Sequence, residues 1–138
     1  MKRFLIITLM SINLLTTQIS ASYDYIELNN TLISCSQINK TTYCPAIQLF
    51  KELGYDSYYS YSTKLFVIGK NNSELFTIEP STATVTNLVN GEEYNLNRKI
   101  FVSDYTVYVP VEDIIHDFAQ SDVTYVSSSE LSYTKRRL

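Results

Sequence analysis

One pattern occurs twice in the chain and limits its fold more than any other feature: a short strand, a proline that opens a helix, then another strand. The first copy reads Thr42-Tyr43-Cys44-Pro45-Ala46-Ile47-Gln48-Leu49-Phe50-Lys51-Glu52-Leu53-Gly54, with a strand expected over residues 59–68. The second reads Val107-Tyr108-Val109-Pro110-Val111-Glu112-Asp113-Ile114-Ile115-His116-Asp117-Phe118-Ala119, with a strand expected over residues 123–133. Proline suits the first helical position, where its missing N–H has no partner to lose and its φ is already helical. After Pro45, apolar residues fall at Ala46, Leu49, Phe50 and Leu53. After Pro110 they fall at the same offsets, Val111, Ile114, Ile115 and Phe118. That is the i, i+3, i+4, i+7 stripe of a helix with one buried face. Gly54 supplies a left-handed stop to the first helix, whereas the second has Ala119 there and needs an extra residue before its strand.

Around these units the chain reads as short strands between turn signals. Asn29-Asn30, Asn39-Lys40, a loop tip at Gly69-Lys70-Asn71-Asn72 and a turn at Ser103-Asp104 separate apolar runs. Asn90-Gly91 is the strongest hairpin signal, predicted to join strands over residues 82–89 and 92–96 by a tight turn. The class predicted is α+β: two strand–Pro–helix–strand repeats forming a curled, mostly antiparallel sheet packed on two short helices.

Residues 1–21 have the order of a secretory signal peptide. Lys2-Arg3 precedes an apolar run over residues 4–15, broken by Thr8, Ser11 and Asn13, and Ile19-Ser20-Ala21-Ser22 offers small residues for cleavage after Ala21. The run is shorter than the roughly 20 apolar residues of a membrane span, so no stable span is expected after cleavage. The expected location is therefore secreted or at the cell surface, with residues 22–134 as a single domain and residues 135–138 as a basic tail. Without Lys2 and Arg3, the 11 basic residues fall to 9 against 14 acidic ones, and three of the nine are Lys135, Arg136 and Arg137. So acidic a body argues against a nucleic-acid partner.

Cys35 and Cys44 are the two cysteines. A hairpin with Asn39-Lys40 at its tip sets them directly opposite one another, where a disulfide is within reach of an exported chain. The alternative is a pair of buried thiols acting as small apolar residues. Their spacing and the single histidine do not compose a zinc site, and no cofactor is expected.

Tyr43-Cys44-Pro45, a helix ending Glu52-Leu53-Gly54, and the strand Tyr59-Ser60-Tyr61-Ser62-Thr63-Lys64-Leu65-Phe66-Val67-Ile68 together resemble one half of the stalk domain. This is the copper amine oxidase N-terminal-like domain of exported bacterial proteins. The Asn90-Gly91 segment and residues 107–125 are similar too, so the resemblance covers roughly residues 25–134. Tyr59 and Tyr125 stand where that family usually has tryptophan, Asn39-Lys40 where it has Asn-Gly, and Ile47 and Glu112 where it has arginine. The resemblance implies a small sheet curled against helices and no amine oxidation, since the copper and quinone of that enzyme lie in a different, larger domain.

His116 is the one histidine, off the apolar stripe of its helix and without a G-x-S-x-G or comparable signature. Glu112, Asp113 and Asp117 place carboxylates on the same helix. The first two favour its positive N-terminus, and no calcium-binding loop accompanies them. Tyr55, Tyr58, Tyr59 and Tyr61 form the candidate ligand surface, since aromatic rings stack on sugars while their hydroxyls hydrogen-bond. The competing reading puts Tyr59 and Tyr61 with Leu65 and Val67 on one strand face, or over the helix as core. The function expected is a non-catalytic, exported, envelope-associated binding or interaction module, with cell-wall glycan or an exported protein as candidate partners. The alternatives are a small wall-acting hydrolase using His116 with Asp113 or Asp117, and an adaptor or inhibitor that binds a protein through a sheet edge.

Overall fold

Four hairpins with two-residue tips set the register of the chain. β1 (Tyr25–Leu28) and β2 (Thr31–Ser34) turn at Asn29-Asn30, and β3 (Ser36–Ile38) and β4 (Thr41–Pro45) at Asn39-Lys40. β6 (Leu65–Lys70) and β7 (Ser73–Glu79) turn at Asn71-Asn72, and β10 (Phe101–Ser103) and β11 (Thr106–Pro110) at Asp104-Tyr105. All eight tip residues have positive φ, between 50° and 66°. That is the type I′ geometry, whose twist matches the strands it joins, and asparagine tolerates it better than most residues. The last hairpin turns one residue later than the Ser103-Asp104 expected. These elements come from a computed structural model that describes residues 24–119 and 123–127. The expected signal peptide, the basic tail and the step at residues 120–121 lie outside the described residues.

β4 runs through Pro45 (φ −60°, ψ 128°) into α1 (Ala46–Glu52), and β11 runs through Pro110 (φ −71°, ψ 121°) into α2 (Val111–Phe118). Ala46, Leu49, Phe50, Val111 and Ile114 are fully buried, while Leu53, Ile115 and Phe118 pack more openly against the same core. α1 closes on Gly54 at φ 94°. The Gly54 N–H donates to the Lys51 carbonyl at 3.0 Å and the Tyr55 N–H to the Phe50 carbonyl at 2.9 Å. This paired arrangement is the Schellman stop, and the Phe50–Tyr55 ring contact supplies its usual apolar clasp. α2 lacks such a residue and leaves its last turn through Ala119 in extended conformation.

With β5 (Asp56–Ser60), β8 (Thr84–Asn87), β9 (Glu93–Asn95) and β12 (Thr124–Val126), the strands form three sheets rather than one. Their orders are β12-β1-β2, β10-β11-β4-β3 and β5-β6-β7-β8-β9. Every pairing is antiparallel. The two strands that precede the prolines pair with each other, Tyr43 against Pro110, Cys44 against Val109 and Pro45 against Tyr108. Phe50 touches Tyr55, Phe66 and Phe118, so α1, α2 and the five-stranded sheet share one aromatic contact.

The hairpin at Asn90-Gly91 is not the tight turn expected. Thr86 pairs with Glu93, leaving a longer loop over residues 88–92. The Asn87 side chain is the cause: its Oδ1 accepts from the Val89 N–H at 2.9 Å and the Asn90 N–H at 3.3 Å. A local side-chain acceptor thus outcompetes the ladder and ends the strand early.

Gly54→Ala puts a Cβ on a left-handed residue, and urea denaturation is expected to show a loss of about 1–2 kcal/mol. An unchanged midpoint would mean that the Gly54 stop contributes nothing.

Candidate functional site

Two surfaces gather the residues singled out from sequence. The first lies beside the start of α2. Asp113, only 6 % exposed, accepts the Arg98 backbone N–H at 3.0 Å and the Arg98 Nη1 at 2.6 Å. Exposed Glu112 sits 3.3 Å from Nη2 of the same guanidinium. Tyr43 donates its hydroxyl to the Lys99 carbonyl at 2.8 Å. Burial, then the charge of Asp113, pushes its phenol above the usual range. The sequence reading made Asp113 a partner of the helix N-terminus. In the structure it is also a clamp on the connection leading from β9 to β10.

Beside this clamp opens a cleft of about 410 Å³ that includes Tyr94, Arg98, His116 and Asp117 in its lining. His116 Nδ1 lies 2.9 Å from Asp117 Oδ1, and its side chain is 88 % exposed. Tyr94 is pushed up to about 12 by burial, the Asp117 charge and a hydrogen bond to Asp117. The cleft lining contains no serine, threonine or cysteine for a His–Asp pair to activate. Its one hydroxyl is a phenol held protonated well above neutral pH. Among the described residues, no group of three or more His, Cys, Asp or Glu side chains is arranged to hold a metal ion.

The tyrosines divide. Tyr55 is the residue after the Gly54 stop; its ring packs on Phe50 and Phe118, and the Lys70 ammonium lies 5.5 Å from its centroid. Strand alternation then sends Tyr58 and Tyr59 to opposite faces. Tyr58 pairs with Val67 and Tyr59 with Phe66, so Tyr59 does not share a face with Leu65 and Val67. Tyr58 is exposed and donates to Glu74 Oε2 at 2.7 Å, which raises its pKa. Tyr59 is half-buried against the core, and Tyr61 lies beyond the end of β5.

Tyr61 has a partner that sequence reasoning missed. Its ring meets Tyr59 at 5.0 Å and Tyr105 at 5.6 Å between centroids, both edge-to-face, and its hydroxyl donates to the Tyr105 carbonyl at 3.4 Å. Tyr61 is 56 % exposed and Tyr105 81 %. Tyr105 occupies a turn tip at φ 64°, a conformation that a bulky residue adopts at a cost. A ring in such a place was the one available signal in the sequence. Beside this aromatic ledge runs a groove of about 350 Å³ whose lining includes Tyr59, Thr63, Lys64, Glu79, Ser81 and Val102.

Cys44 is fully buried and Cys35 half-buried, and the structure draws no S–S bond between them. Burial foremost pushes Cys44 up to about 12, with a contribution from Cys35. Burial, then Asp24, pushes Cys35 up to about 11.

The family model described as copper amine oxidase N-terminal domain matches residues 25–130, and the chain belongs to that family. No curated protein and no solved structure matches the chain. The N-terminal domain of copper amine oxidases is a non-catalytic accessory domain. No helix among the described residues is long and apolar enough to cross a membrane.

Asp113→Ala strands the Arg98 amide, while the partly exposed guanidinium keeps Glu112, and is expected to cost about 1–3 kcal/mol by urea denaturation. Glu112→Ala, at the exposed arm, is expected to cost under about 1 kcal/mol. Equal losses would remove the clamp. A second expectation concerns alkaline pH. Folding raises Tyr94 from 10.0 to about 12, and the thiols from 9.0 to about 11 and about 12. The unfolded chain therefore releases these protons first, and stability falls as pH rises through this window. The urea midpoint of the reduced protein should decline from about pH 9 to about pH 12, and Tyr94→Phe should flatten part of that decline.

Proposed function

We propose that the chain is an exported, non-catalytic binding module of the cell envelope, and that Tyr61 and Tyr105 present its ligand surface to wall glycan. The observation that carries this reading is the aromatic ledge itself: two largely exposed rings, one held at a strained turn tip, where burial gives neither a reason to be. The apolar face of a pyranose stacks on such rings. The phenolic hydroxyls and the polar groove beside them, with Lys64, Glu79 and Ser81, supply hydrogen bonds to its hydroxyls. The acidic charge of the chain favours a neutral saccharide over a polyanion. Membership of a family whose domain is accessory supports a binding role, and the leader-like start of the sequence supports export.

The test uses chain purified from the medium of an expressing culture, with a mature N-terminus at Ser22 expected by mass spectrometry. Retention inside the cell would remove the export reading. The purified chain should co-sediment saturably with cell-wall sacculi, and Tyr61→Ala/Tyr105→Ala should weaken binding by about tenfold or more, as expected for the loss of two stacking rings. Binding that survives in this folded double variant would move the site elsewhere. Secreted chain that ignores sacculi would replace glycan by a protein partner.

A further inference from the structure

We infer that Cys35 and Cys44 form a cross-strand disulfide, linking the junction of β2 and β3 to the strand that delivers Pro45 into α1. This goes beyond the glycan-binding reading and does not depend on it. The hairpin register is Ile38 with Thr41, Gln37 with Thr42 and Ser36 with Tyr43. The ladder ends at Ser36–Tyr43, and its register continued by one step would set Cys35 against Cys44.

The kind of pair follows from alternation. In a two-residue hairpin the residues flanking the tip exchange both backbone hydrogen bonds, and pairs then alternate outward between bonded and non-bonded. Ile38–Thr41 is therefore bonded, Gln37–Thr42 non-bonded and Ser36–Tyr43 bonded, and the position one step beyond, Cys35 with Cys44, falls in the non-bonded phase. Several contacts agree with this phase. Gln37 Nε2 donates to Thr42 Oγ1 at 2.8 Å, the close side-chain approach of a non-bonded pair on the same face as the cysteines. The Cys35 N–H turns away from β4 and donates to the Asp24 carbonyl at 2.9 Å. Cys44 pairs on its other side, with Val109 of β11. Non-bonded pairs hold their Cα atoms about 4.5 Å apart, within the roughly 4.4–6.8 Å that a disulfide spans. Cys44 also feels the charge of Cys35, and both sulfurs act on Tyr125.

The chemistry needs an oxidant, and a disulfide-bearing exchange partner supplies it, either an oxidoreductase or a small-molecule disulfide. Cys35 is the more accessible and less strongly shifted thiol, so its thiolate attacks first. One sulfur of the partner leaves as a thiol, taking up a proton, and a mixed disulfide remains on Cys35. Cys44, already opposite, then attacks Cys35 as thiolate and expels the second partner thiol, which takes up the other proton. One S–S bond forms and one breaks; the two cysteines are oxidised and the partner is reduced.

The full chain, folded in the presence of oxidised glutathione and then denatured in acid, should take up no maleimide until it is reduced, and two afterwards. Its melting temperature should fall by about 10 °C on reduction, as expected for opening a ring of this size in a chain of this length. The melting temperature of Cys35→Ala/Cys44→Ala should not respond to reductant. Two labels before reduction, a persistent glutathione adduct on Cys35, or a disulfide-linked dimer of chains would each overturn the assignment. The labelling is read on the natural sequence, so it decides the matter even if the double variant fails to fold.

Discussion

Phe50 is the contact on which the rest of the molecule closes. Its ring is wholly buried and lies 5.1 Å from Phe118 of α2, 5.8 Å from Phe66 of β6 and 6.1 Å from Tyr55 after α1. Phe118 in turn meets Phe76 of β7 at 5.1 Å. α1 itself packs on β2, β4, β5 and β11, so it reaches all three sheets. A sheet needs a packed apolar face to be stable. The helices supply that face, and the two prolines fix where each helix leaves its strand. The aromatic centre and the paired β4–β11 strands are therefore one device, which brings together segments far apart in the chain.

Much of this was legible in the residues because the governing physics is local. The asparagine-rich hairpin tips tolerate positive φ, and a helical stripe opened by proline has few competing readings. Gly54 marked a helix end for the same reason. What could not be read depended on partners distant in sequence. Asp113 on a first helical turn looks like a dipole partner until Arg98 arrives from an irregular connection. Asn90-Gly91 had the chemistry of a tight turn, yet Asn87 captured the neighbouring amides first. The tyrosines looked like a single cluster because they crowd together in sequence, whereas the Gly54 stop and strand alternation take Tyr55 and Tyr58 elsewhere and leave Tyr59 in ring contact with Tyr61.

The candidate surface illustrates the same division between local and long-range. Tyr61 follows β5 and Tyr105 tips a hairpin of another sheet, 44 residues away, and neither is remarkable by itself. Their meeting makes a ledge on rigid supports: each lies at the end of a strand whose own register is fixed by cross-strand pairing. A ligand that stacks there meets rings already placed, which limits the ordering entropy of association. The polar cleft beside α2 has a different character. Its polar groups face one another, Arg98 to two carboxylates and His116 Nδ1 to the Asp117 carboxylate, so much of its hydrogen-bonding capacity is satisfied within the chain.

The pairing of β1 with β12 sets Tyr25 against Val126, so the two ends of the described domain leave from the same end of one antiparallel ladder. Tension applied through the two ends would load that ladder in the unzipping direction, breaking its hydrogen bonds one after another instead of shearing them together. Such loading would peel the ladder open as a clasp, and loss of β12 would expose one edge of β1 while its pairing with β2 and the Phe50 contacts remain.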